Sequence, residues 1–580
     1  MKLIEQGPSI FHQTICQCGV VCLAVVALLS GSSAFAASTE ATYGTRGMVV
    51  SRSVHASAAG VQIMKDGGNA IDAAVATGFA LAVTYPSAGN IGGGGFAVVR
   101  LTDGSVVTLD HRERAPLTAT EDMYLDENGD VISGLSTRSH KAAGVPGSVD
   151  GLLRLLETHG TMSRSEVMAP AIRLARRGFP LDHDLVRQFT RVLPSMASYP
   201  ASVAKFSREG TPYEVGDIWR QPDLAKVLRR IARDDREGFY AGEVARKIVS
   251  EMKEGNGDIS LADLRDYKSI WRDPVHGSYR GYEIWGMGPP SSGGVLVVQM
   301  LNMLEPYNLK EMGWGSAASV HHIVEAARRA YADRAEHLGD PDFVDIPIPE
   351  LVSKDYALSR FAGFDVEAAS DSDAIGPGLT DLPRESRETT HFSVADGDGN
   401  LVSLTTTLNS GYGNKIVVPG TGILLNNEMN DFSIKPNTPN QYELIGREAN
   451  AIGPGKRMLS SMSPTIVTKD GAPVLATGSP GGSTIIMTTL QVLINVIDHG
   501  MPIEDAVAQP RIHHQWRPER VTHERYALSK ETRDVLEAMG HELRASRWGR
   551  GIGDANSIEI RDGILRGTKD PRAVGAAIGY

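Results

Sequence analysis

The segment NAIDAAVATGFALAV, Asn69 to Val83, is apolar nearly all round. A helix of that kind is buried, so the chain must build a core large enough to enclose it. With 580 residues it has the length to do so. The stretch before it, ASAAGVQIMKDGG, reads as a second helix stopped at Gly67 and Gly68. After it, NIGGGGFAVVRL and DGSVVTLDHRERAP read as a glycine turn feeding two hairpin strands, with Arg112 just past the second. From Gly144 to Met312 the pattern is mostly helical, broken by the loop GMGPPSSGG ahead of an apolar helix at Val295.

One composition shift divides the chain. GFDVEAASDSDAIGPGLTDLPRESRE, Gly363 to Glu388, is rich in Asp, Ser, Gly and Pro without sustained periodicity, which predicts an exposed linker. Beyond it the text turns to strands: THFSVAD, a turn, NLVSLTTTLN, and then the hairpin SPTIVTKDGAPVLATG. No internal repeat is present.

The formal net charge is -11, with charges spread along the chain, which argues against nucleic acid or an anionic membrane as partner. At the N-terminus GVVCLAVVALLS is too short to span a bilayer and is followed by SAFAA, predicting a signal peptide over residues 1–36, cut after Ala36, and no membrane anchor once it is removed. The three cysteines, Cys16, Cys18 and Cys22, all fall inside that segment, so a mature chain has neither disulfide nor thiol chemistry. Export of such a chain fits a bacterial periplasm or the medium.

Several motifs fail on inspection. DGDGN, Asp396 to Asn400, starts like a calcium loop but has Leu401 where glycine is required, and reads instead as a hairpin turn. The glycine runs at Gly92 to Gly95 and at Gly481 and Gly482 lack the residues of a phosphate loop and the spacing of a dinucleotide fingerprint. His321, His322, His513 and His514 have no metal-ligand spacing and read as capping or packing residues. The sequence therefore predicts no metal and no cofactor.

Two signals survive. If the turn at Asp396 to Asn400 is symmetric about Asp398, antiparallel pairing sets Thr407 opposite Thr389, and the period of two puts Thr405, Thr407 and Asn409 on one face. Threonines in strands also serve simply to fill a pleated surface. The second signal is GSPGGSTIIMTTLQVLI, where Gly481 and Gly482 can aim backbone N–H groups outward at a helix start and hold developing negative charge. A turn that is tight for steric reasons alone also uses glycine there.

The motifs KDGGNAIDAAVA, NIGGGGF, LDHRERAP, GVPGSVDGL, GPPSSGG, RRAYADRAEHLGDPDF, TTHFSVADGDGN, LLNNEMNDFS, RMLSSMSPTIV, TGSPGGS and DPRAVGAAIGY resemble, in order, those of the γ-glutamyltransferase or glutathione hydrolase family. The resemblance implies an α+β fold, a four-layer αββα sandwich of the N-terminal nucleophile hydrolase type. It also implies a precursor that cuts itself between Glu388 and Thr389, leaving a large subunit over 37–388 and a small one over 389–580. Cleavage would free an α-amine, with a pKa of about 7.7 to 8.0, in the same residue as the attacking hydroxyl of Thr389. Thr407 would orient that hydroxyl, and Gly481 and Gly482 would form the oxyanion hole.

The same resemblance sets Arg112, Ser460 and Ser461 on the α-carboxylate of a γ-glutamyl group, and Asn409, Glu428 and Asp431 on its α-ammonium. Glu428 stands where several bacterial members carry glutamine, with an acceptor retained. KPNTPNQYELIG resembles a lid loop with Tyr442 as its closing residue. The implied substrates are glutathione and other γ-glutamyl compounds, with water, amino acids or peptides as acceptors. A glutaryl-cephalosporin acylase and a non-catalytic amino-acid-binding protein are the rival readings. Retained Glu428 and Asp431 oppose the first, and an intact cleavable threonine opposes the second.

Overall fold

The computed structural model describes residues 40–376, 384–385, 389–435, 440–444, 447–546 and 551–580. The export segment and Glu388 lie outside the described residues, and of Tyr442 only the backbone is described.

Two seven-stranded antiparallel sheets form the centre. Across the first the order is Ala576–Gly579, Gly47–Ser51, Thr390–Asp396, Leu401–Thr407, Gly94–Arg100, Val106–His111 and Ile270–Arg272. Across the second it is Thr42–Gly44, Ile564–Thr568, Ser557–Arg561, Ala472–Thr477, Thr465–Lys469, Tyr282–Gly286 and Val275–Tyr279. Met48, Phe96, Val98, Leu401, Ile466 and Ile558 pack between the sheets. Helices cover both outer faces: Val54–Lys65, Ala70–Thr84 and their neighbours lie on the first sheet, and Gly293–Leu304, Ala317–His337 and Thr484–Ile497 on the second. The result is the expected αββα sandwich.

The apolar helix Ala70–Thr84 is buried at every position. Its start is fixed by a capping box in which Asn69 Oδ1 accepts from Asp72 N (3.0 Å) and Asp72 Oδ2 accepts from Asn69 N (2.9 Å). Ala70 N also donates to Asp396 Oδ2 (2.9 Å), and Asp396 Oδ1 accepts from Asp398 N and Asn400 N (both 3.0 Å). One aspartate thus closes the hairpin turn and ties it to the buried helix, a stabilising place for an anion at a helix N-terminus.

Two expectations gain detail. The stretch from Gly144 to Met312 is mostly helical, as expected, but Val275–Tyr279 and Tyr282–Gly286 form a hairpin within it. Its two-residue turn has positive φ at Arg280 (50°) and Gly281 (79°), the geometry that matches strand twist. The linker is largely exposed over its described first half, as expected, yet it is anchored to the body. Trp516 Nε1 donates to the carbonyls of Ser372 (2.9 Å) and Ile375 (2.7 Å), and Ser372 N donates to Glu519 Oε2 (2.9 Å). Those anchors come from residues far along the chain, which local composition does not show.

Candidate active site

The threonine hairpin pairs Thr390 with Thr406 and His391 with Thr405, the register expected from a turn centred on Asp398. Thr389, just before the first strand, has its Oγ1 3.4 Å from Thr407 Oγ1, and both residues are buried. Asn409 reaches the same place by a different route from the predicted alternation. The strand ends at Thr407, and Asn409 sits at φ +68°, a left-handed conformation that asparagine tolerates. Its N–H donates to Thr407 Oγ1 (2.8 Å), and its Nδ2 donates to Asp431 Oδ1 (3.1 Å) and the Asn427 carbonyl (2.9 Å). Thr405 is not part of the cleft; its hydroxyl bonds His391 Nδ1 (2.9 Å). Behind the strand end, Asn90 Nδ2 donates to the Thr407 carbonyl (2.8 Å) and Thr406 Oγ1 (3.1 Å), which fixes the tip of the strand.

Arg112 leaves the end of the Val106–His111 strand and is fully buried. Its Nε donates to the Met458 carbonyl (3.2 Å), one terminal nitrogen to Glu428 Oε1, and the other to Asp431 Oδ2 (2.5 Å) and the Leu459 carbonyl (3.3 Å). Cation and carboxylates, expected to hold the neighbouring α-carboxylate and α-ammonium of one donor, here face each other directly. Burial pushes the Glu428 and Asp431 carboxyls up, while Arg112 opposes that shift. Ser460 and Ser461 close the far wall: the Ser460 carbonyl accepts from Ser292 N (2.8 Å) and Oγ (2.7 Å), and Ser461 Oγ accepts from Arg334 (3.3 Å).

Gly481 and Gly482 follow the Ala472–Thr477 strand with φ of +137° and +57° and precede the Thr484–Ile497 helix. A Cβ on Gly481 would lie 2.5 Å from Thr484 Oγ1, so glycine is required there for sterics as well as for conformation. Among the described residues neither glycine N–H has a hydrogen-bond partner, so both are available to an anion.

These groups converge on one cleft with about 250 Å³ of empty space, lined by Arg112, Thr389, Thr407, Asn409, Glu428, Asp431, Ser460, Ser461 and Gly482, with Met462 and Ile485 as apolar wall. Gly481 stands one residue behind the lining. Tyr442 lies in a two-residue strand with Glu443, and the tip of the proposed lid at 436–439 is outside the described residues. The sequence reading did not single out Glu113, which stands beside Arg112, or Arg334. The triplet Arg112-Glu113-Arg114 carried a signal for the first; nothing local pointed to the second. The histidine pairs stay out of the cleft. His321 Nδ1 is 2.7 Å from His541 Nε2, and nearby Glu325 is engaged by Arg328 (3.1 Å) and Arg329 (2.6 Å).

Chemically, the cleft sets a hydroxyl pair beside two free N–H donors and a buried cation with its carboxylates. That combination suits acyl transfer from a donor that ends in paired charges.

The γ-glutamyltranspeptidase family model matches residues 56–580 of the chain. The chain is 47% identical over 554 residues to the glutathione hydrolase proenzyme of Pseudomonas sp. (strain A14), covering 94% of this chain and 96% of that protein. To the glutathione hydrolase proenzyme of Escherichia coli (strain K12) it is 46% identical over 572 residues, covering 95% and 97%. In structure it is similar to a cephalosporin acylase from Bacillus halodurans, with a TM-score of 0.82 at 28% identity, covering 95% of this chain and 98% of that one.

Proposed function

Because the chain belongs to the γ-glutamyltranspeptidase family, we propose that it is a self-processing γ-glutamyltransferase and glutathione hydrolase whose nucleophile is Thr389. The observation that carries this is the meeting, in one cleft, of the Thr389 and Thr407 hydroxyls with Arg112, Asn409 and Asp431.

In the reaction, Thr389 Oγ attacks the δ-carbonyl of a γ-glutamyl amide and passes its proton to the α-amine freed by cleavage after Glu388. Thr407, itself held by the Asn409 N–H, orients the attacking oxygen. The N–H groups of Gly481 and Gly482 receive the developing oxyanion. The intermediate collapses as the C–N bond breaks, the amine leaves with the proton, and a γ-glutamyl ester on Thr389 remains. Water, or the amine of an amino acid or peptide, then attacks that ester and regenerates the hydroxyl.

Donor recognition follows from the direct contact between Arg112 and Asp431. An α-carboxylate and an α-ammonium inserted between them keep opposite charges adjacent, Arg112 to carboxylate and ammonium to Asp431, so the buried charges remain paired. Ser460 and Ser461 support the first contact; Asn409 and Glu428 support the second. Tyr442 closes the lid over the bound donor. Residues 1–36 direct export to the periplasm or medium, and the mature protein is a large subunit over 37–388 and a small one over 389–580. Among the described residues no helix is long and apolar enough to cross a membrane.

Incubation of the purified protein with glutathione, with and without glycylglycine, tests the reading. Release of glutamate, and a γ-glutamyl dipeptide when the acceptor is present, is the expected result. A cephalosporin acylase is similar in fold, but Asp431 and Glu428 provide a contact for an ammonium that a glutaryl side chain lacks. Turnover of glutaryl donors without turnover of glutathione would reverse the assignment.

A further inference from the structure

Glu113 is fully buried beside the cleft and does not line it. Neither of its carboxyl oxygens has a hydrogen-bond donor, and Oε2 of Glu428 has none either. Both carboxyls are drawn to the same terminal nitrogen of Arg112. Arg112 lies 3.6 Å from Glu113 Oε2 and is already bound to Glu428 and Asp431. One guanidinium therefore faces three carboxyls, two of them fully buried and that of Asp431 partly so. Orphaned, like-charged oxygens crowded around one cation are among the costliest arrangements in a protein interior, and a proton shared by the two acids removes both problems.

We propose that Glu113 and Glu428 hold one proton between them, and that the donor's α-ammonium expels it to solvent on binding. Glu113 is then a positioning residue: it acts on the donor through Glu428 and makes recognition of the γ-glutamyl end dependent on pH. The inference rests on the γ-glutamyl reading of the cleft.

The surroundings identify this pair as the group that titrates. Burial raises the Glu113 carboxyl to about 7 and pushes Glu428 up as well. His111, on the same strand, is lowered by burial to about 4 and stays neutral above pH 5. Tyr267, whose hydroxyl donates to the Arg112 carbonyl (2.8 Å), is shifted further upward by burial and stays un-ionised. Arg112 and Arg114 beside Glu113, and Arg334 across the cleft, stay cationic. Asp110, which accepts from Arg112 N (2.9 Å), is paired with Arg272 (2.8 Å) and Arg457 (3.4 Å). Asp431 is pushed up by burial too, but its two oxygens accept from Arg112 (2.5 Å) and Asn409 (3.1 Å), so neither is orphaned. Gly94 packs against Glu113 from the neighbouring strand, where an added Cβ would lie 2.5 Å from Oε2, and brings no charge.

The sign follows by linkage. On the acid side the pair holds its proton and an entering ammonium must displace it; on the alkaline side the proton is already gone and the ammonium binds at no such cost. The test is the ratio of kcat/KM for a γ-glutamyl and a glutaryl anilide between pH 5.5 and 7.5 on matured enzyme. Both donors use the α-amine of Thr389, so its titration cancels in the ratio. The ratio is expected to rise about tenfold with pH for one linked proton. In Glu113→Gln an amide N–H replaces the shared proton, and the ratio should no longer change with pH. Glu428→Gln should give the same flat profile if Glu113→Gln does not mature. A pH-independent ratio in the parent, or an unchanged slope in either variant, overturns the proposal. Failure to turn over any γ-glutamyl donor would instead reject the functional reading. In that event infrared difference spectroscopy at pH 6 still decides: the proposal requires an un-ionised carboxyl band in the parent that Glu113→Gln lacks, and its presence in both overturns it.

Discussion

Thr389 and Thr390 are adjacent and both buried, yet their hydroxyls have different surroundings. Thr389 Oγ1 faces Thr407, whereas Thr390 Oγ1 has no hydrogen-bond partner. Thr389→Ala is therefore expected to leave the precursor uncut and inactive, while Thr390→Ala still processes, as gel mobility and anilide turnover would show. Cleavage of the Thr389→Ala chain at the same bond would place the nucleophile elsewhere. Asp431 offers a second contrast, since it touches both Arg112 (2.5 Å) and Asn409 (3.1 Å). Losing a charge-assisted contact to the donor ammonium costs about 1.5 to 3 kcal/mol. Asp431→Asn should then cut kcat/KM for γ-glutamyl donors by roughly one to two powers of ten more than for glutaryl donors. Equal losses for both donors would remove Asp431 from the ammonium site. The identity of these residues was legible in sequence motifs; their mutual pairing was not. The contact between Arg112 and Glu428 spans 316 positions, and no local pattern records that this arginine faces two acids.

Among elements, the threonine hairpin was the most legible, because the turn residues set its register and the alternating pattern set its faces. Asn409 shows the limit of that logic: it enters the cleft through a left-handed backbone turn, which a period of two does not describe. The strand-to-helix turn at Gly481 was legible as a turn, and the structure adds its strain. Gly481→Ala would force an L residue to φ +137° with its Cβ 2.5 Å from Thr484 Oγ1. Displacing one oxyanion donor lowers kcat by about 100-fold or more, with kcat measured on protein that has matured. An unchanged kcat would remove this turn from the reaction. The strand tip depends on Asn90, whose Oδ1 also accepts from Gly93 N (2.8 Å) and Ser148 Oγ (2.7 Å). Asn90→Ala leaves several buried groups unpaired at about 1 to 3 kcal/mol each, so denaturant unfolding should show a loss of at least about 3 kcal/mol. A loss below 1 kcal/mol would mean that water or a neighbour replaces the amide.

At the scale of the whole molecule, the helix-rich first part and strand-rich second part do not form separate bodies. The first sheet draws strands from both, with Thr390–Asp396 paired to Gly47–Ser51 and Leu401–Thr407 to Gly94–Arg100. That interleaving explains why a cut between residues 388 and 389 need not release either piece: each contributes strands to both sheets and to the core between them. The change of pattern along the sequence set the expected place of such a cut, but the sandwich itself was legible only through the family resemblance, because strand order across a sheet has no local signature. The central claim is that this molecule makes its own catalytic amine by cutting before Thr389. Intact-mass measurement of purified, active protein tests it most directly. Two chains are expected, the smaller running from Thr389 to Tyr580 with a free N-terminal threonine; a single uncut chain that retains full activity would contradict the account.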